Sequence, residues 1–442
     1  MEKLAIDGGS PIRLQKPIVE TDLIEEAEIN ALLEVARQNK LRRDDVADKY
    51  EDSLAAWYGV KHAIAVASGT VGLHAALAAF EVGPGDEVIV TPYTFVASAT
   101  CVLEQNAIPV FADIDPISLT IDPKEIEAKI SDRTKAIIPV SICGIPMDIG
   151  AIMEIADKYD IKVIEDNAQA PGATYYGKKL GTFGHISCYS TISGKIMSTG
   201  EGGYLLTDDD ELYEKLWGYV DFSRRKHLGK ASKFHYGLPC TNYRITNMQA
   251  AIGLQQLKKL NDMNNRRIEN AHYLEEKLRD IPGIQLIPDP TWGDRVYFYF
   301  CVRIEPEVLG ANIIDFAKAL AAEGVYDYKY ISTTRMMIAQ HLEPLFINKK
   351  GYGNTQCPFN CPLYGRDIEY KKGQLPVAEK AAEEIFWLSS VHPALTPADL
   401  EDTALAVRKV ANAFVERKAA GQSNHFASEE DLSIAWNPDH AC

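Results

Sequence analysis

The chain predicts an α/β fold: a doubly wound, mostly parallel sheet followed by a smaller C-terminal α+β unit. Three observations carry this. Between residues 62 and 206, short β-branched runs alternate with helical stretches, the pattern of strands joined by crossover helices. A stretch rich in Gln, Leu, Lys and Arg, 247–278, reads as one long connecting helix. Beyond Pro282 the alternation stops and strand and helix signals mix. A length of 442 residues suffices for two units with a large core.

Taken in order, residues 21–38 predict an amphipathic helix with Asp22 near its start. Strands are expected at 63–67, 88–91, 108–111, 136–140, 162–165, 186–189 and 203–206. Helices at 71–80, 96–105 and 149–159 fall between them. After the connector come a strand at 296–302 and helices at 313–323, 377–386 and 397–417. The expected division is 1–262 for the large unit with its N-terminal helical segment, 263–418 for the α+β unit, and 419–442 for a polar tail. The tail has little periodicity and reads as extended over the surface or mobile, with Ile434-Ala435-Trp436 able to dock.

Composition sets bounds on partners. An apolar fraction of 46% and a charged fraction of 24% are those of an ordinary soluble protein. A net charge of −16 and a pI near 5.2 argue against nucleic acid and anionic membranes. No apolar run reaches membrane-span length, and residues 1–17 lack a basic-then-apolar leader pattern. The expected compartment is the cytoplasm. Eight scattered cysteines do not suggest a disulfide framework. Cys357 and Cys361, the one close pair, lack the further ligands and spacing of a metal site, and no metal is expected.

The chemistry centres on Lys195. It follows a strand and the small-residue loop Ser190-Thr191-Ile192-Ser193-Gly194, and precedes the turn Gly200-Glu201-Gly202-Gly203. A lysine so placed can hold a carbonyl cofactor as a Schiff base, and pyridoxal phosphate is the usual aldehyde. Upstream, Asp166 ends a β-branched strand, where open α/β sheets bind ligands. There it can keep a pyridine nitrogen protonated, or it can be an ordinary helix cap. Ser68-Gly69-Thr70 joins a strand to a helix, suiting a phosphate or a plain cap. Phe95, at the edge of another strand, suits ring stacking or a core position.

Together these segments resemble the DegT/DnrJ/EryC1/StrS aminotransferases, fold-type I pyridoxal-phosphate enzymes that aminate keto sugars and keto cyclitols. The Ser-Gly-Thr turn, Thr-Phe-Val-Ala, Glu-Asp-Asn-Ala-Gln-Ala, the serine five residues before the lysine, and Gly-Glu-Gly-Gly stand in family order. So does the run from Asn242 to Gly253, and the resemblance extends from about Leu4 to about Val410. It implies that Lys195 forms the Schiff base and shuttles the proton, while Asp166 pairs with the pyridinium nitrogen. Gln169 would bond the ring hydroxyl, Ala168 would pack near the ring, and Phe95 would stack on the other face. Ser68, Gly69, Thr70 and Ser190 would hold the phosphate. Asn242 would reach it from a second subunit, because such enzymes build each site at a homodimer interface. Arg244 is left open between the phosphate, the donor carboxylate and a structural ion pair.

One departure bears on substrate. The family usually writes Ser-Phe-His-x-x-Lys, whereas Thr191 and Ile192 stand here in place of Phe and His. Family members with histidine at the lysine position are dehydratases, and Lys195 opposes that reading. The resemblance implies glutamate or glutamine as the small-molecule donor. The segment 348–372 resembles the inosose-aminotransferase branch more than the nucleotide-sugar one. Tyr364, Arg366 and His341 would there touch a polyol or phosphate, or belong to a surface loop without such contact. Arg224 to His227 form a basic cluster that meets an anionic substrate or simply faces solvent. The rival readings are a dehydratase on the same fold and a cofactor-binding sensor. The sensor would need a basic DNA-binding segment, and none is present. A dinucleotide-binding reading fails because Ser68-Gly69-Thr70-Val71-Gly72 lacks the Gly-x-Gly-x-x-Gly pattern.

Overall fold

The computed structural model describes residues 3–14, 22–224, 239–325, 338–388 and 390–426. Its helices begin with α1 (Glu26–Arg37), α2 (Asp45–Tyr58), α3 (Gly69–Ala79) and α4 (Ala97–Glu104). They continue with α5 (Pro123–Lys129), α6 (Ile149–Tyr159), α7 (Asp210–Val220) and α8 (Asn247–Leu278). The strands are β1 (His62–Val66), β2 (Glu87–Val90), β3 (Ile108–Phe111), β4 (Thr134–Ile138) and β5 (Lys162–Asp166). A small hairpin, β6 (Thr174–Tyr175) and β7 (Lys178–Lys179), precedes β8 (Ile186–Ser190) and β9 (Gly203–Thr207).

Among the described residues the main sheet has seven strands in the order β1-β9-β8-β5-β4-β2-β3. Only β9 runs against its neighbours, so the other six share one direction. Side chains alternate between the two faces of each strand. Ile64, Val66, Val90, Ile138 and Ile164 face α3, α4 and α7. Ala63, Ala65, Ile89, Ile137 and Val163 face α2, α6 and α8. Both faces are covered, which is why these strands read as nearly continuous apolar runs.

A second sheet is antiparallel: β10 (Ile284–Leu286), β11 (Phe300–Ile304) and β12 (Ile385–Leu388). Ala271, Leu274 and Leu278 of α8, the helix Ile313–Ala322 and the helix Pro397–Ala419 enclose its core.

Several elements depart from expectation. The helix expected from 21 begins at Glu26, capped reciprocally by Glu25 and Glu28. Helix α2 was hidden among charges, although Ala47, Tyr50, Leu54 and Tyr58 keep a helical spacing. The expected strand 296–302 starts only at Phe300, because Val296 and Phe298 donate their N–H groups to the carbonyls of Gly144 and Cys143 at 3.2 and 3.0 Å. The expected helix 377–386 ends at Glu384, and Ile385-Phe386-Trp387-Leu388 turns into an edge strand of β-preferring residues.

The unit expected at 263–418 is not packed as one body. Phe346, Phe359, Tyr364, Tyr370 and Leu375 join the core of the main sheet beside Phe111. Leu4, near the N-terminus, packs instead into the core of the small sheet. Buried Glu323 fixes that strap, accepting from Ala5 N–H, Ile12 N–H and Lys409 Nζ at 2.9, 3.1 and 2.9 Å. Of the tail, residues 427–442, with Ile434-Ala435-Trp436, lie outside the described residues. Cys357 and Cys361 are free thiols. Among the described residues no helix is long and apolar enough to cross a membrane.

Candidate active site

Because six strands run one way, their C-terminal ends line one edge, where open α/β sheets bind ligands. β1 leads there to Ser68 and Gly69, β2 to the turn carrying Phe95, β5 to Asp166, and β8 to Ser190 and the lysine loop.

Asp166 is 4% exposed. Its Oδ1 accepts from Ala168 N–H at 3.1 Å and its Oδ2 from Ser98 Oγ at 2.8 Å. Burial pushes its pKa up, while the Ser98 hydroxyl, the Ala168 N–H and the charge of Lys195 pull it back. A cationic ring nitrogen beside it would favour the anion further.

Lys195 places Nζ 4.6 Å from the centre of the Phe298 ring. Its loop is closed by backbone bonds from Thr191 N–H to Gly202 O and Ser193 N–H to Gly200 O, at 2.9 and 2.8 Å. Asp22, expected at a helix start, serves this loop instead, accepting from Ser193 Oγ at 2.6 Å and Gly194 N–H at 3.0 Å.

Ser68 caps α3, its Oγ accepting from Val71 N–H at 3.3 Å. Gly69 and Thr70 open that helix, whose first N–H groups favour an anion. Ser190 comes so near that a Cβ on Gly69 would stand 2.9 Å from its Cβ. Gln169 Oε1 accepts from Cys143 N–H at 2.7 Å, which turns its amide NH2 into the group left to donate. Phe95 is 62% exposed, unusual for phenylalanine.

Asn242 is exposed and bridges to Asp221, while Ala67 N–H reaches Tyr243 O at 2.8 Å, beside the Ser68 turn. Arg244 pairs with buried Asp221 at 2.5 Å and stands over the Phe222 ring. Of its open roles, the ion pair is the one the geometry displays.

The three residues left open between a substrate contact and a surface loop are engaged elsewhere. Tyr364 is 3% exposed and gives its hydroxyl to Glu87 at 2.9 Å, at the start of β2. Arg366 reaches Asp132, just before β4, at 2.5 Å. Both therefore lie at the N-terminal edge of the sheet, opposite Asp166. His341 is fully buried against Phe111, its Nε2 3.0 Å from Glu379 Oε1. Arg224 holds Asp221 at 3.4 Å, and Arg225 to His227 lie outside the described residues.

Sequence reading missed Ser98, Phe298 and Gln340. Gln340 anchors the Phe95 turn, donating from N to Pro92 O and from Nε2 to Thr94 O at 2.7 and 2.8 Å. Ser98 stands one helical turn after Thr94, a spacing that signals a shared hydroxyl face. Phe298 and Gln340 carry no local signal, because only the tertiary fold brings them to this edge.

The edge accommodates pyridoxal phosphate. A buried carboxylate stands ready to pair with a cation, a lysine faces it, and Gly69 lets a helix N-terminus approach Ser190 more closely than a side chain would allow. Fold and edge define a class, the pyridoxal-phosphate-dependent aminotransferases. Within that class the chain belongs to the DegT/DnrJ/EryC1/StrS aminotransferase family, whose profile matches residues 22–408. It is 40% identical over 257 residues to GDP-perosamine synthase of Caulobacter vibrioides, covering 58% of this chain and 68% of that one. It is 34% identical over 335 residues to L-glutamine:2-deoxy-scyllo-inosose aminotransferase of Streptomyces kanamyceticus, covering 73% and 78%. The structure is similar to that of an aminotransferase from Psychrobacter cryohalolentis, with a TM-score of 0.75 and 29% identity over 90% of this chain and 100% of that one.

Proposed function

We propose that the enzyme transfers an amino group from glutamate or glutamine to a keto sugar or keto cyclitol, nucleotide-linked or inosose-like, in a ping-pong cycle. The observation that carries the reading is Lys195 and Asp166 meeting at one edge, with the charge of the lysine acting on the buried carboxylate. The names of the relatives support a sugar or cyclitol ketone as acceptor.

Bound pyridoxal phosphate would supply an aldehyde for the amino group and a ring that takes up an electron pair. Lys195 would hold that aldehyde and, when free, would carry the proton between the donor's α-carbon and the cofactor. Asp166 would keep the ring nitrogen protonated. Gln169 would donate its amide to the ring hydroxyl, and Ala168 and Phe95 would pack against the ring. Ser68, Gly69, Thr70 and Ser190 would bind the phosphate, joined by Asn242 from a second copy of the chain. Exposed Phe95, Ile192 and Met248 support burial of this face in a homodimer. The reaction is expected to run in the cytoplasm.

The test is an absorption spectrum of purified protein with pyridoxal phosphate, then with glutamate or glutamine. A visible band that converts to a near-ultraviolet band supports the first half-reaction, and ketone acceptors that restore it identify the second. Lys195→Ala should keep the fold and lose turnover, and persisting turnover would sink the assignment.

A further inference from the structure

Behind Asp166 runs a chain of hydroxyls that the roles above do not use. Ser98 Oγ lies 2.8 Å from Asp166 Oδ2, and Thr94 Oγ1 lies 3.1 Å from Ser98 Oγ. All three side chains are buried. An ionised carboxylate only accepts, so Ser98 gives its single hydroxyl proton to Asp166. Thr94 must then donate to Ser98, and the chain points one way, each hydroxyl polarising the next. Ala168 N–H occupies the other carboxylate oxygen at 3.1 Å. One donor on each oxygen fixes the carboxylate plane and leaves lone pairs for a ring nitrogen.

We propose that Ser98, backed by Thr94, is a positioning residue for the cofactor: it holds Asp166 as an oriented anion so that the paired ring nitrogen keeps its proton. The inference rests on the role of Asp166 proposed above. The charged and titratable groups facing Asp166 agree with it. Lys195 favours the anion from the loop after β8. Cys101 on α4 and Cys188 on β8 are thiols that burial pushes up and keeps neutral. Burial of Asp166 works the other way, and the Ser98 bond is the largest influence opposing it.

The test uses holoenzyme carrying Ser98→Ala, which removes one oxygen, or Thr94→Val, which keeps the shape. Cofactor retention is followed by its visible band as pH is lowered, with circular dichroism as a check on the fold. Loss of the Ser98 bond makes Asp166 easier to protonate. The acid limb of retention should therefore move up by about one pH unit, with cofactor affinity falling about tenfold. The kcat should fall about as far, with the donor KM little changed. Thr94→Val should move the same readouts in the same direction by less. An acid limb unmoved in Ser98→Ala overturns the proposal. If that variant fails to fold, an unmoved limb in Thr94→Val does so. A wild-type enzyme with no cofactor band would instead overturn the reading of Lys195 and Asp166, and this inference with it.

Discussion

Gly69 and Ser190 meet across the C-terminal edge of the sheet, where a Cβ on Gly69 would stand 2.9 Å from Ser190 Cβ and 3.2 Å from its Cα. The second contact is backbone of β8, which cannot swing aside as a side-chain tip can. Alanine suits the first turn of a helix, so Gly69→Ala should leave α3 formed but force Ser190 or the turn out of place. Pyridoxal phosphate affinity should fall roughly tenfold or more, with the circular dichroism unchanged. Spectrophotometric titration measures this, and wild-type affinity would show that the phosphate is held elsewhere.

Arg244 and Asp221 separate two roles for one residue. Asp221 is buried, and its other partner, Arg224, stands off at 3.4 Å on a more exposed side chain. Arg244→Ala strands that carboxylate and should lower stability by about 2 kcal/mol in chemical denaturation, part of the full cost of breaking a buried pair because Arg244 is partly solvated. If Arg244 bound the donor carboxylate instead, the donor KM would rise while stability stayed put.

What was legible in the sequence follows from the range of the forces involved. Strand alternation and glycine turns are local, so β3, α6 and α8 begin and end where periodicity places them. Lys195, Asp166 and Ser68-Gly69-Thr70 share one edge because each sits at or soon after the C-terminal end of a strand in a common direction. Tyr364 and Arg366 follow no such rule. Their chain segment folds back to the start of β2, and its polar, aromatic composition suits a docking loop as well as a substrate pocket. β12 was lost because Glu384 ends a helix directly into a strand without glycine or proline to mark the change.

His341 gives a pH dependence. Burial holds it below the ordinary imidazole value of 6.5, more strongly than Glu379 raises it. The unfolded chain takes up a proton near 6.5 that the folded chain resists. The stability contributed by neutral His341 is thus complete above that value and is lost as pH falls from there toward the depressed folded value. His74 and His185 are depressed by burial as well, so one substitution removes only a share. His341→Gln should flatten the decline in unfolding free energy below pH 6.5, by on the order of 1 kcal/mol at pH 5. Parallel curves for the variant and wild type would contradict this.

Glu165 and Asp166 are adjacent on β5 and point to opposite faces, so matched substitutions should have crossed effects. Buried Glu165 accepts from Gly181, Phe183 and Gly184 N–H groups at 2.7, 2.9 and 2.7 Å and from Asn167 Nδ2 at 3.1 Å. Every donor there points at an oxygen, and an amide NH2 would face N–H against N–H. Glu165→Gln should cost about 3 kcal/mol of stability and weaken activity only through the loosened strand. Asp166 is the reverse case. Its burial already disfavours the charge, and Asn in its place removes that penalty while keeping the shape. Asp166→Asn should change stability by less than about 1 kcal/mol yet lower turnover by about a hundredfold or more, because a neutral amide cannot keep the ring nitrogen protonated. Denaturation curves and donor half-reaction rates on both variants measure the crossing. A large stability loss in Asp166→Asn would place that carboxylate in the scaffold with its neighbour rather than in the chemistry.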